Sequence, residues 1–297
     1  MSDFVRQESS KSNFNTSNSW VILSPIEQSI KRKIEKAGTP LKDWDISINY
    51  GIKTGFNDAF IISGTKRDEI LANCKTTKEK KKTAELIRPI LRGRDIKKYE
   101  YDFANLYLIN IHNGIKEKNI PRIDVDDYPA IKKHLNEYWD KLEKRADQGD
   151  TPYNLRNCAY MDEFNKPKIV YPCIMAKEPS FMFDTNGEYY TPAPGNIITG
   201  DNLEYLLGLL CSKIVYFALR KYYMGGGIEG ELKTNRLLIM PIPKYIGSEK
   251  QNKIISLVNS LQKKYVDKIS NEIDSLVSDL YNLSDEERKT IGYIEIK

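Results

Sequence analysis

The sequence predicts an α+β fold, in which a mixed β-sheet and packed helices are followed by a long C-terminal helix. Three observations support this prediction. Short β-prone runs alternate irregularly with helical segments as far as residue 246. The stretch 203–219 is mostly apolar and has only two charged residues, Glu204 and Lys213, which is typical of a core helix. From residue 248 onward, apolar residues recur at steps of three and four, as in an amphipathic helix.

The first part of the chain predicts a flexible lead and then a helix. Residues 1–19 are rich in Ser and Asn and contain few large apolar groups, so we expect no packed structure there. The helix is predicted from Pro25 to residue 36, with Ser24 as its N-cap, isoleucine at every fourth position and Gly38 just past its end.

A glycine-containing turn is predicted next, at residues 51–57. Gly51 and Gly55 permit positive φ angles and a close approach to another molecule, while Lys53, Thr54 and Asn57 supply polar groups. The spacing does not match a P-loop, which has four residues between its glycines and ends in Gly-Lys-Ser/Thr. A plain hairpin connection without a ligand fits the spacing as well.

The residues on either side of this turn predict strands. The alternation over 46–49 predicts one strand, and the apolar run within 56–62 predicts a second that anchors the turn. The run 87–90 predicts a strand or a tight segment, and further strands are predicted at 107–111 and 168–171. An Asn-Gly turn between 181–184 and 188–191 predicts a hairpin.

The middle of the chain also predicts helices and loops. Segment 66–85 is polar and helix-prone, 128–145 has a helical apolar period, and 203–223 is the predicted core helix. The glycine-rich segment 225–230 predicts a mobile loop that could close over a ligand or be a plain connection.

The C-terminal segment predicts one long helix over 248–282 and a short final helix opened by a capping box at Ser284–Glu287. A helix of some thirty residues is about 45 Å long, more than a compact domain needs for its own core. The stripe lacks a strict heptad, which favours intramolecular packing plus a short helix pair over a long coiled coil. The residues predicted to meet a partner helix are Val258, Leu261, Tyr265, Ile269, Ile273 and Leu276.

Composition excludes several classes of protein. With 297 residues, 40% hydrophobic and 29% charged, the chain is an ordinary globular protein. Its four cysteines form no Cys-x-x-Cys pair and its two histidines are far apart, so we expect no metal, no disulfide and no cofactor. The chain shows no signal peptide and no apolar run that could span a bilayer, which predicts a cytoplasmic protein without membrane contact.

Positive charge is concentrated in one region. Residues 66–98 contain twelve Lys and Arg against five Asp and Glu, whereas 249–297 contains eight against nine. A localised basic field attracts phosphate groups, so nucleic acid is the partner class it favours. The alternative is a solvated lysine-rich helix, especially over 78–82.

Ordered sequence blocks resemble the TaqI-like C-terminal specificity domain, the target-recognition part of type IIG restriction-modification enzymes and adenine-specific methyltransferases. Related helical spacers occur in type I specificity subunits. The resemblance covers about residues 20–281. The matching blocks are 51–62 (GIKTGFNDAFII), 90–99 (ILRGRDIKKY), 128–135 (YPAIKKHL), 155–160 (LRNCAY), 164–169 (FNKPKI) and 240–243 (MPIP).

The resemblance implies sequence-specific binding of double-stranded DNA by a recognition domain over 20–246, with 247–297 as a helical spacer or docking arm. Arg can bind guanine with two hydrogen bonds and Asn can do the same for adenine, whereas Lys and backbone N–H groups suit phosphates. The candidate DNA-binding residues are Lys53, Thr54, Gly55, Asn57, Arg92, Arg94, Lys97, Lys98, Tyr153, Asn154, Arg156, Lys233, Asn235 and Arg236.

Catalytic motifs are incomplete or absent. The Asn/Asp-Pro-Pro-Tyr/Phe tetrapeptide of adenine methyltransferases does not occur. Nucleases of one common class use Pro-Asp followed by Glu-x-Lys. The sequence contains no Pro-Asp, and the second half occurs by chance, for example at 79–81 and 295–297. We therefore expect no catalytic residue and no enzyme activity from this chain alone.

The expected partners are double-stranded DNA and a methyltransferase or endonuclease domain or subunit. The exposed stripe of the predicted long helix also suggests a homodimer, because apolar surface left in water costs about 25 cal/mol per Å². Two alternatives remain open: a helical protein-interaction module, or a fragment that assists a nuclease or methyltransferase without reading bases.

Overall fold

A computed structural model describes residues 23–175, 178–224 and 230–291. The described residues form two compact units. Unit 1 contains the described parts of Met1–Ile46, Ile174–Pro179 and Glu204–Lys297, and unit 2 contains Ser47–Cys173 and Ser180–Leu203. The predicted lead 1–19 and residues 225–229 of the predicted glycine loop lie outside the described residues.

Helices and strands alternate irregularly along the chain, and the predicted α+β class is confirmed. In chain order the elements are α1 (Pro25–Ala37), β1 (Thr39–Pro40), β2 (Ile46–Tyr50), α2 (Asn57–Phe60), β3 (Ile61–Ser63), α3 (Gly64–Ala72), α4 (Thr77–Leu86), β4 (Ile87–Pro89), β5 (Leu106–Ile109), α5 (Pro129–Asn136), α6 (Trp139–Leu142), β6 (Lys168–Tyr171), β7 (Met182–Asp184), β8 (Asn196–Gly200), α7 (Leu203–Leu210), α8 (Lys213–Ala218), α9 (Thr234–Leu238), β9 (Pro241–Ile242), α10 (Glu249–Lys263), α11 (Asp267–Leu280) and α12 (Asp285–Thr290).

Unit 2 is built on two small sheets. One has the strand order β2-β8-β6-β7 and the other the order β3-β5-β4. The central strands β6 and β5 pair antiparallel with both neighbours, so that Ile169 lies opposite Phe183 and Ile198. Strand β6 is buried along its whole length, which explains its unbroken apolar run Ile-Val-Tyr after Lys168.

The core of unit 2 lies between these sheets and helices α2 to α5. Phe60, Leu108, Ile131 and Phe164 have no exposed surface, as expected for side chains that hold a core together. The core also contains one ion pair, Lys168 Nζ to Asp184 Oδ2 at 2.5 Å, with both side chains almost fully buried. Asp184 in addition accepts hydrogen bonds from two backbone N–H groups, so that both of its carboxylate oxygens are hydrogen-bonded.

Unit 1 is mainly helical. Ser24 and Glu27 form a capping box at the start of α1, as the sequence predicts for the N-cap, and α1 buries Ile30 and Ile34. Strands β1 and β9 form a two-residue antiparallel ribbon. Helices α10 and α11 pack against each other, α11 packs against α8, and α12 packs against α1.

The predicted single C-terminal helix is two helices. Helix α10 ends at Lys263, the backbone of Lys264 and Val266 is extended, and α11 begins at Asp267. The break lets α10 and α11 fold side by side, so each covers part of the apolar stripe of the other. The predicted capping box at Ser284 is confirmed at the start of α12.

The residues after the predicted turn begin as a helix and not as a strand. Asn57 to Phe60 form one helical turn, α2, and only Ile61 to Ser63 form a strand, which pairs with β5. The reason is that Ala59 and Phe60 both point into the core, which a period-2 strand does not allow for neighbours.

Two further predictions need correction. The Asn-Gly turn forms, with Gly187 at φ 67°, but the residues after it do not pair with β7, because Tyr190 bridges Ile90 instead.

The predicted core helix over 203–223 is interrupted at Cys211 and Ser212, and the Ser212 side chain caps α8. Both helical parts are buried, so the predicted core position is correct.

Candidate nucleic-acid interface

The turn at residues 51–57 is fixed by backbone pairing within unit 2. Gly51 N donates to Gly195 O at 2.7 Å, Ile52 N donates to Thr191 O at 2.8 Å, and Ala193 N returns a bond to Ile52 O at 3.0 Å. A Cβ at Gly51 would lie 2.5 Å from the backbone carbon of Pro192, so only glycine permits this approach. The first half of the turn therefore has one defined path.

The second half of the turn depends on Gly55 and Thr54. Gly55 has a φ of 67°, and a Cβ there would lie 2.7 Å from the carbonyl oxygen of Asp147. Thr54 is buried, and its hydroxyl donates to Oδ1 of Asn57 at 2.6 Å, at the start of α2. Lys53 and Asn57 remain exposed at the surface of the turn.

Arg145, which follows α6, joins this turn to a second loop. Its side chain is buried, and its two terminal nitrogens donate to four backbone carbonyls. Nη1 donates to the carbonyls of Thr54 and, at 2.6 Å, of Asp147, and Nη2 donates to those of Pro152, at 3.1 Å, and Asn154. One guanidinium thus holds residue 54 of the turn and residues 147–154 of the loop together.

The electrostatic environment of Arg145 is unusual for an arginine. No carboxylate among the described residues forms an ion pair with it, and its guanidinium carbon lies 4.7 Å from the ring centre of Phe60. Burial lowers the pKa of Arg145 to about 10, because the charged form loses hydration. The four carbonyl dipoles take the place of that hydration.

The loop after Arg145 is ordered by its own side chains. Asn154 is buried, and its amide donates to the carbonyls of His112 at 3.2 Å and Ile123 at 2.9 Å. The Tyr153 hydroxyl donates to Oδ1 of Asn136 at 2.6 Å. These contacts hold Asn154 and Tyr153 in place within unit 2, while the exposed Arg156 lies two residues further on.

Arg156 forms an ion pair across the loop. Its Nη1 donates to Oδ1 of Asp147 at 2.6 Å, with 52% of the Arg156 side chain and 36% of the Asp147 side chain exposed. Ion pairs this exposed contribute little to stability, about 0–1 kcal/mol. The guanidinium can therefore exchange Asp147 for another anion at small cost.

Two depressions open beside Lys53, and both are formed by unit 2 alone. One has a volume of about 440 Å³ and the other about 380 Å³. The side chain of Lys53 has no ion-pair partner in the part of the chain that the structure describes. The first depression is lined by Ile52, Lys53, Thr54, Gly55, Phe56, Asn57, Asp147 and Ala193. The second is lined by Tyr50, Gly51, Ile52, Lys53, Arg156, Asn157, Cys158, Ala159 and Tyr160.

The predicted basic residues at 92–98 are arranged differently. Arg92 donates to both oxygens of Asp95, at 2.9 and 2.7 Å, and Arg94 is exposed. Burial alone would raise the pKa of Asp95, but the hydrogen bonds from Arg92 outweigh it and lower that pKa. Lys97 pairs with Asp102, and Lys98 is buried. Of this group, Arg94 is the exposed cation that forms no ion pair with a carboxylate in the described part of the chain.

The remaining candidates lie in unit 1, at the start of α9. Lys233 and Asn235 are exposed, Arg236 is half-buried, and Lys233 lies 3.5 Å from a carboxylate oxygen of Glu231. The structure therefore brings Lys53, Thr54, Gly55, Asn57, Tyr153, Asn154 and Arg156 together in unit 2, whereas the α9 residues belong to the other unit.

Arg145 and Asp147 are missing from the sequence-based set of candidates. Arg145 stands at the end of a predicted helix, where a basic residue usually has a solvated role. The one available signal was its place directly before a loop rich in Gly, Asp and Asn. Which backbone carbonyls it would meet depends on the path of a turn ninety residues earlier, and no local pattern contains that.

The residues predicted to meet a partner helix are mostly covered within unit 1. Val258, Leu261 and Ile273 have no exposed surface, and Tyr265, Ile269 and Leu276 are half-buried. The argument for a homodimer assumed that this stripe is exposed along one long helix. Its burial between α8, α10 and α11 removes that reason for a partner helix.

No helix among the described residues is long and apolar enough to cross a membrane. The described residues also contain no group of three or more His, Cys, Asp or Glu side chains placed to hold a metal ion. The residues that line the two depressions beside Lys53 offer hydrogen-bond donors and acceptors, positive charge and aromatic edges.

Comparisons with known proteins agree with the resemblance seen in the sequence. The model of the family described as the TaqI-like C-terminal specificity domain matches residues 88–242, more than half of the chain. No curated protein sequence matches the chain. Among solved structures, the type IIL restriction-modification enzyme MmeI, solved in complex with DNA, is similar with a TM-score of 0.58 and 11% identity, over 85% of this chain and 35% of MmeI.

The type IIG restriction endonuclease BpuSI is also similar, with a TM-score of 0.49 and 15% identity, over 89% of this chain and 33% of BpuSI. This chain thus spans about a third of the length of either enzyme. The similarity to MmeI shows a shared fold.

Proposed function

We propose, because the chain belongs to the family of TaqI-like C-terminal specificity domains, that it recognises double-stranded DNA as the specificity module of a restriction-modification system. Its own residues would read and grip DNA, and methyl transfer or cleavage would be carried out by a methyltransferase or endonuclease domain or subunit. The absence of the methyltransferase tetrapeptide from the sequence supports this division of labour. The division into a recognition domain over 20–246 and an arm over 247–297 stays a prediction.

The observation that supports this proposal best is the surface around Lys53. Lys53 lies between two open depressions, and Arg156 lines one of them while Asn57 and Asp147 line the other. Arg can bind the major-groove edge of guanine, Asn that of adenine, and a carboxylate can accept from cytosine. Lys53 suits a phosphate, because it is exposed and has no carboxylate partner among the described residues.

Binding driven by phosphate contacts depends steeply on salt. Each phosphate contact that a cation makes releases counterions, which lowers the logarithm of the affinity by about 0.9 for each tenfold rise in salt. We expect the wild-type chain to bind random duplex DNA more weakly as salt increases, measured by fluorescence anisotropy between low and physiological salt.

The residue-level test compares three substitutions that remove one positive charge each. Lys53→Ala and Arg156→Ala should weaken binding to random duplex DNA and reduce the salt dependence by about one unit of slope or less. Lys263→Ala is the matched control, because Lys263 is an exposed lysine of α10 in unit 1. Equal affinities for all three variants and the wild type, or wild-type binding that ignores salt, would contradict the proposal.

A further inference from the structure

The loops that carry the proposed DNA contacts are far apart in sequence and are joined by Arg145. Lys53 belongs to the turn at 51–57, and Arg156 follows the loop at 147–154. The Arg145 guanidinium donates to carbonyls of both segments, through Thr54 on one side and Asp147, Pro152 and Asn154 on the other.

The chemistry of this junction requires arginine. Four carbonyl oxygens of two segments receive donors from one planar group, and a lysine ammonium offers three donors from a single point. Arg145 is 7% exposed, so water does not compensate a lost contact there. The contacts go to backbone carbonyls, which means that they constrain the path of the loops independently of their side chains.

We propose that Arg145 is the positioning residue of this interface. It fixes the turn and the loop in one arrangement before DNA arrives, and thereby sets the distance between Lys53 and Arg156, which line the same depression. Arg145 itself contacts no DNA. This assignment rests on the proposed function, because its consequence is selectivity among duplexes. When the two loops are held in one arrangement, they favour the duplex whose groups match that arrangement. When the loops are mobile, their cations bind the phosphate backbone of any duplex.

The experiment uses Arg145→Lys in the full chain, with Arg122→Lys, an exposed arginine of unit 2, as the matched control. A duplex is first selected by the wild type from a randomised pool, and affinities for that duplex and for a shuffled one are then measured. We expect Arg145→Lys to lower the preference for the selected duplex about tenfold. Affinity for the shuffled duplex and its salt dependence should remain those of the wild type.

A second measurement uses the wild type and does not depend on how well the variant folds. If Arg145 positions the loops in advance, its guanidinium protons exchange slowly with solvent in the free protein, as seen by NMR, and DNA does not change this. Fast exchange before DNA is added would overturn the assignment, as would an unchanged preference in Arg145→Lys. A wild type that binds no duplex at all would instead refute the proposed function, and the assignment would fall with it.

Discussion

The loop pair of unit 2, residues 51–57 and 145–156, and the C-terminal helices of unit 1, α10 to α12, are held in opposite ways. The loop pair is fixed by hydrogen bonds to backbone carbonyls, with a buried guanidinium at the centre. The helices are held mainly by an apolar stripe in which Ile254, Val258 and Leu261 have no exposed surface. Polar contacts to fixed carbonyls define positions closely, whereas apolar packing provides stability with less directional demand.

This difference suggests a division of roles between the two regions. An apolar face stabilises the fold in proportion to the area that it buries, so its loss lowers the free energy of unfolding. A set of directed hydrogen bonds fixes a geometry. Small changes in it should therefore alter selectivity among duplexes before they alter the free energy of unfolding. The following predictions test whether the two regions respond in these different ways.

The largest effect is expected for Leu261→Asp in α10. Leu261 has no exposed surface, so the substitution buries a carboxylate among apolar side chains and should lower the free energy of unfolding by about 4 kcal/mol or more. Ser260→Asp, at an exposed position of the same helix, is the matched control. Urea unfolding followed by circular dichroism measures both.

This outcome also decides the question of a homodimer. If Leu261→Asp kept the wild-type stability but changed the mass seen by light scattering from dimer to monomer, the stripe would be an interface between copies. The same would hold for Ile269, which is half-buried in α11.

An intermediate loss of stability is expected at low pH, because the Glu287 carboxylate of α12 binds side chains of α1. Glu287 accepts from Lys33 at 2.6 Å, Ser284 N at 2.7 Å and Ser29 at 2.8 Å. Burial alone would raise the pKa of Glu287, but these hydrogen bonds outweigh it and lower that pKa to about 2 from its ordinary 4.5. Since the folded pKa is the lower one, the stabilisation is complete above pH 5 and is lost as the pH falls towards 2.

Glu287→Gln should therefore lower the stability at pH 7 by about 2 kcal/mol and flatten the loss between pH 5 and pH 2. Urea unfolding at a series of pH values measures this, with the exposed neighbour Glu286→Gln as control. The Arg145 contacts should persist across that range, because the pKa of Arg145 is about 10. If Glu287→Gln and the wild type lost stability in parallel below pH 5, the Glu287 carboxylate would not be the group that stabilises the packing of α12 against α1.

The smallest difference in stability is expected between two glycine variants. Gly55 and Gly247 both have positive φ, at 67° and 75°, but a Cβ at Gly55 meets Asp147 O at 2.7 Å whereas one at Gly247 meets no atom within 4 Å. Both alanine variants incur backbone strain, and Gly55→Ala should cost about 1 kcal/mol more. Only Gly55→Ala should also weaken the preference for a selected duplex. Equal stability losses, or a binding defect in Gly247→Ala, would contradict the assignment of the loop pair.

Local sequence patterns account for many elements but fewer contacts. Ser24 and Ser284 stand before helical periods and cap α1 and α12 as predicted, because capping depends on neighbours in sequence. Thr54 and Asn154 were plausible donors to DNA by residue type, but in the structure both are buried and engaged with their own unit. The type of a side chain shows which groups it can bind. Whether the side chain is buried decides whether it contacts its own unit or a ligand.

The sequence by itself determined the α+β class, the capped helices, the glycine turn and the family, since each of these rests on local periodicity or on ordered motifs. Only the tertiary structure decided that the C-terminal stripe folds back on itself after Lys263 and that Arg145 joins residues 54 and 154. The apolar periodicity continues unchanged through the break between α10 and α11, so it does not reveal the break. The Arg145 guanidinium can donate to its four carbonyls only after segments distant in sequence have packed together. Both outcomes depend on contacts between residues that no local window contains.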